Sequence, residues 1–142
     1  MRKLVIFDTS SSKIIGYVSV DNPNDVALYP IHPATESKLE ISLDHPAPNE
    51  QEKWKISGGQ LVQKNLVTLT ASAPTFPADG TSTVTLTFAG LSAAAVVDVG
   101  GQSVTVSPTD ATITLTCDVP RSFNVQLVDA DQWSNPVTVE AV

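Results

Sequence analysis

The chain has 142 residues, a net charge of −7 and a hydrophobic fraction of 42%, enough for one ordinary domain or two small ones and too apolar for a disordered tail. No apolar run approaches the ~20 residues that cross a bilayer. The acidic balance argues against nucleic acid and anionic membrane as partners, because both recruit cations.

The chain opens "MRKLVIFDTSSSKIIGYVSV". Only Leu4 to Phe7 are apolar before Asp8, shorter than the ~7 residues a secretory core needs, so no signal peptide is expected. Residues 3–8 and 13–20 predict a hairpin around the serine run. "DNPNDVALYPIHPATES" (21–37) carries turn formers and two later prolines and reads as a long loop. Leu39, Ile41 and Leu43 alternate in a further strand over 38–43. After the proline-rich "DHPAPNE", "EKWKISGGQLVQK" predicts a hairpin turning at Gly58–Gly59.

The composition then changes. Residues 1–64 hold seven basic and eight acidic side chains and two threonines, whereas residues 65–142 hold Arg121 alone against seven acids, with thirteen threonines. The step predicts two domains, a β-rich 1–64 and a β-sandwich 65–142. In the second, "LVTLTAS" (66–72) places Val67, Leu69 and Ala71 on one face. In "TSTVTLTFAG" (81–90) threonines alternate with Val84, Leu86 and Phe88, the period of a strand wet on one side. "AAAVVDV" and "QSVTVSP" flank Gly100–Gly101 as a second two-glycine hairpin. "ATITLTCD", "SFNVQLVDA" and "NPVTVEAV" complete about seven antiparallel strands, the spacing of a small sandwich. Cys117 falls in phase with Ile113 and Leu115 and reads as a small buried hydrophobe; with no second cysteine it forms no internal disulfide.

Patterns that carry chemistry are sparse. His32 and His45 each precede a proline, which restricts them to extended backbone, so Asp44–His45 reads as loop punctuation rather than part of a triad. Three scattered His and Cys residues do not suit zinc, and "SGGQ" and "VGGQ" lack the helix a phosphate loop needs. "DADQWSNP" offers Asp129 and Asp131 as carboxylate ligands for calcium, without the EF-hand pattern, and the competing reading is a solvated turn. No cofactor is expected, and no catalysis.

"FPADGTSTVTLTFAG" together with "VDADQWSNPVTVEA" resembles the bacterial immunoglobulin-like domains of the invasin and intimin type, over residues 66–142. The late loop departs from that pattern, with "QWSNP" where those repeats carry Gly-Asn. The resemblance implies an Ig-like fold more than a function. The opening hairpin followed by "KWKISGGQLVQK" is similar in style to virion accessory proteins of tailed bacteriophages, which join an anchor to an exposed Ig-like domain. That resemblance implies a non-enzymatic virion protein that decorates the capsid and binds the major capsid protein or another virion protein. It also implies a homo-oligomer, with a trimer suggested by capsid three-fold positions. On this expectation Leu4, Ile6, Ile14, Tyr17, Tyr29 and Trp54 contact the particle or neighbouring copies, with Leu4 to Phe7 adding to a strand edge. The alternatives are a tail or baseplate accessory protein, or a surface adhesion module whose Asp131, Trp133 and Asn135 contact carbohydrate or host protein.

Overall fold

The computed structural model describes residues 1–22, 30–31 and 34–142. The chain is all-β and divides into two compact units, Met1–Gln63 and Lys64–Val142. The loop expected over 21–37 falls largely outside the described residues, and its last two positions already belong to a strand.

In the first unit β1 (Arg2–Asp8) lies between β2 (Ile14–Val20) and β3 (Glu36–Ile41), antiparallel to both. Leu4, Val5 and Ile6 are all buried, so both faces of this central strand are covered. The register between β1 and β2 shifts between Ile6 and Phe7, leaving Ile15 as an extra residue, 58% exposed. Two 3-10 turns, Ala47–Asn49 and Gln51–Lys53, lead into the hairpin of β4 (Trp54–Ser57) and β5 (Gln60–Gln63). Gly58 and Gly59 turn it at φ of +58° and +73°, the left-handed pair a two-residue turn requires.

The second unit is a sandwich of two sheets, one in the order β10-β9-β12-β14-β7 and the other β11-β8-β6-β13. Its strands are β6 (Asn65–Ala71), β7 (Thr75–Phe76), β8 (Thr83–Ala89), β9 (Ala95–Val99), β10 (Gln102–Val106), β11 (Thr112–Thr116), β12 (Arg121–Val128), β13 (Gln132–Ser134) and β14 (Val137–Ala141). Alternation decides what faces inward. Val84, Leu86 and Phe88 are at most 2% exposed, while Thr83 and Thr87 on the opposite face are wet. Together with Val67, Leu69, Val97, Val125 and Val139 they build one cluster fed by both sheets. Burying a side chain of this size stabilises by roughly 1.5–3 kcal/mol, so this cluster carries the unit.

Two features differ from the sequence expectation. The sandwich has nine strands rather than about seven, because β7 and β13 form inside segments that read as turns. It is also not purely antiparallel: β7 pairs with β14, and β13 with β6, in parallel. Cys117 is half-buried at the edge of the core, its thiol donating to the Val119 carbonyl at 3.0 Å.

Candidate functional site

The loop "DADQWSNP" is a folded element. Asp129 Oδ1 accepts the backbone N–H groups of Asp131 at 2.8 Å and Gln132 at 2.9 Å, an Asx turn that starts β13. Asn65 N–H then donates to the Asp131 carbonyl, setting β13 beside β6 with Trp133 in register with Leu66. Alternation turns Gln132 and Ser134 inward, each 2% exposed, and Trp133 outward, half-buried beside Leu66, which is 46% exposed. The outward edge of this sheet therefore presents an aromatic and an aliphatic side chain together.

A polar knot holds that edge in place. Gln132 Oε1 accepts from the Ser92 backbone N–H (2.9 Å), the Ser92 hydroxyl (3.2 Å) and Asn65 Nδ2 (3.2 Å). Gln132 Nε2 donates to the Ala93 carbonyl at 3.1 Å, and Asn65 Nδ2 also donates to the Gly90 carbonyl at 2.8 Å. A buried amide must have its hydrogen bonds met, and this one has both ends engaged. Asn135 does a related job: its carboxamide accepts from Leu69 N–H and donates to the Leu69 carbonyl, bridging to β6 as a strand would. Ser134 Oγ has no partner although it is buried.

The adhesion candidates are thus unlike one another. Asp131 is exposed, Trp133 is half-exposed on the outer face, and Asn135 is committed to the backbone of β6. Asp129, the calcium candidate with Asp131, already uses Oδ1 to hold the turn. Among the described residues no three His, Cys, Asp or Glu side chains gather where one metal ion could meet them.

In the first unit the anchoring candidates also separate. Leu4 is fully buried and Ile6 is 6% exposed, so both belong to the interior of their own unit. Both edges of β1 are taken by β2 and β3, which corrects the expectation that Leu4 to Phe7 adds to a foreign strand edge. In this three-stranded sheet, among the described residues, the outer edges of β2 and β3 are open. Ile14 and Tyr17 lie half-buried on β2, and Tyr29 lies outside the described residues. Tyr17 Oη is enclosed without a partner, and burial pushes its phenol above the ordinary value. Trp54 meets His45 edge to face at 4.6 Å between ring centroids, its Nε1 likewise enclosed without a partner. His45 Nδ1 accepts the Ala47 N–H at 3.1 Å, so this ring closes a turn, and its pairing with Asp44 as a catalytic dyad loses that nitrogen. An open groove of 280 Å³ runs past Lys3, Tyr17, Val18, Ser19, Pro48 and Gln51.

Two turn carboxylates are electrostatically distinct. Asp8 Oδ1 accepts the Ser10 hydroxyl, then the amide and hydroxyl of Ser11 and the amide of Ser10, and these donors hold its carboxyl at about 2. Asp79 is held well below the usual range by the Ser82 amide and hydroxyl and the Thr81 amide. Both carboxylates organise turns, the first between β1 and β2 and the second ahead of β8.

The knot around Gln132 was not visible in the sequence, where a glutamine beside two aspartates reads as solvated. The one local signal is the alternation Gln132, Trp133, Ser134, which is too short to be decisive. No protein-family model matches the chain, and no curated protein is significantly similar to it.

Proposed function

We propose that this protein is a non-enzymatic structural component of a tailed-phage virion, most simply a capsid decoration protein. The first unit attaches to the particle and the second is the Ig-like module it carries. The observation that supports this reading is the incomplete closure of the first unit. The second has a continuous core drawn from both sheets. The smaller first unit encloses Tyr17 Oη and Trp54 Nε1 without partners and leaves β2 with an open edge among the described residues. Small β-rich units of this kind gain stability from a partner surface, and an open edge accepts a strand. Tyr17 and Trp54 are the residues assigned to the attachment; the major capsid protein or another virion protein is the partner.

The test is co-sedimentation of the full chain with heads of candidate tailed phages that lack accessory proteins, with particle-free protein run in parallel. Pelleting at a fixed, saturable ratio is the expected result, and protein that stays in the supernatant with every head tested overturns the assignment.

A second reading rests on Trp133 and Leu66, an outward apolar pair braced from behind by Gln132. Such a pair at a sandwich edge suits the flat face of a sugar or an apolar protein side chain. Binding to a glycan array that disappears in Trp133→Ala, in a protein that ignores phage heads, selects this reading.

A further inference from the structure

A sandwich of two open sheets exposes four edge strands, here β10, β7, β11 and β13. Edges invite another strand, and proteins guard them with short length, proline, charge or a bulge. Three of these edges are guarded. β7 is two residues long and lies between Pro74 and Pro77. β13 is three residues long, with Asp131 before it and Pro136 shortly after. β11 has Asp110 two positions before its start and Asp118 two positions after its end, so antiparallel pairing with a copy of itself about Thr114 sets carboxylate against carboxylate.

β10 has the weakest guard of the four: it is five residues long with no charge within two positions of either end, and its one device is Pro108, two positions past its end. Its five residues, Gln102 to Val106, include no charge and no proline. Its register with β9 runs without a shift from Gln102↔Val99 to Val106↔Ala95, so no bulge bends the edge away. Val104 sits opposite Val97, which is fully buried, so it shares the inner face; yet it is 36% exposed because no strand lies beyond it.

We propose that β10 is a self-association edge, at which two copies of this chain pair antiparallel about a two-fold axis through Val104. The strand is matched to itself in that register. Val104 meets the second copy's Val104, which covers the open side of the core. Ser103 meets the second copy's Thr105 on the outer face, a hydroxyl pair that sheets favour, and Gln102 meets the second copy's Val106. No like charges fall opposite one another within the strand, and closure about a two-fold axis ends the assembly at two copies. The repulsion that remains is long-range, since the second unit of each copy holds Lys64 and Arg121 against seven acids. Salt screens it, so pairing strengthens as ionic strength rises. This goes beyond the virion reading and is independent of it, because a chain that never binds a head still pairs through β10.

The test uses the full chain in sedimentation equilibrium, with Val104→Lys and Val104→Glu studied singly and as an equimolar mixture. Each variant alone sets like charges opposite one another, and its association constant is expected to fall at least ~10-fold below wild type. The mixture sets Lys against Glu and is expected to recover most of that loss. A mixture that associates no better than its separate components overturns the proposal, as do single variants that associate as well as wild type. Thermal melts confirm that each variant folds. Should one fail, Ser103→Glu and Thr105→Lys read the same register from two exposed positions: only their mixture sets Glu opposite Lys, so it is expected to associate more tightly than either variant alone, and a mixture that does not overturns the proposal.

Discussion

Gln132 is the residue whose loss tests the sandwich edge most sharply. Replacing it with Leu keeps the volume and removes an acceptor for Ser92 N–H, Ser92 Oγ and Asn65 Nδ2 and a donor for the Ala93 carbonyl. Asn65 Nδ2 keeps the Gly90 carbonyl, and the Ser92 hydroxyl belongs to an exposed residue and turns to water. The cost therefore rests on two backbone groups, Ser92 N–H and Ala93 C=O. An orphaned group costs about 1–3 kcal/mol, and because Ser92 and Ala93 are exposed residues the low end applies, about 2 kcal/mol for the pair. In a unit of this size that lowers the melting temperature by roughly 8–16 °C. The assay is thermal denaturation followed by circular dichroism, with Gln126→Leu, an exposed glutamine on β12, as control. A Gln132→Leu protein that melts within about 2 °C of wild type refutes the claim that this knot secures β13.

Other consequences are read in the same way. Leu86→Ala, at a fully buried core position, is expected to cost about 2–5 kcal/mol in urea denaturation, whereas Val128→Ala, 56% exposed, costs less than about 0.5 kcal/mol; equal losses refute the assignment of faces. Gly58 and Gly100 share nearly the same φ, +58° and +57°, but an added Cβ at Gly58 meets nothing within 4 Å while at Gly100 it comes 3.2 Å from Phe123 Cδ1. Gly58→Asn is therefore expected to be nearly neutral and Gly100→Asn destabilising; the reverse order of melting temperatures contradicts the packing of that turn. The Asp8 carboxyl is lowered in the folded chain from 3.8 to about 2. Its contribution to stability is thus complete above the unfolded value and is lost as pH falls from about 4 through about 2. Carboxyl titration by NMR should find Asp8 half-protonated near pH 2, and a midpoint at the ordinary aspartate value contradicts the turn geometry.

What the sequence disclosed depended on how many residues each element uses. The alternation of threonines with Val84, Leu86 and Phe88 runs long enough for its period to identify a strand and its buried face, and the structure buries those three. The glycine pairs 58–59 and 100–101 were legible because positive φ is a demand that glycine meets locally. β7 and β13 were not legible, since two or three residues carry no period and prolines surround them. Their pairing is set by residues far along the chain, Thr75 by Glu140 and Trp133 by Leu66. The candidate contacts suffered from the same limit. Leu4 and Tyr17 look alike as apolar residues of one hairpin, and only the placement of β3 on the far side of β1 makes the first interior and leaves the second on an outer strand.

On the virion reading, attachment lies in the first unit and the second is a module that folds independently. The most direct test compares the full chain with the isolated segment Lys64–Val142 in the co-sedimentation assay, after both have been melted. On this reading the segment melts cooperatively by itself and stays in the supernatant while the full chain pellets with heads. A segment that pellets as well as the full chain, or one that does not fold alone, contradicts it.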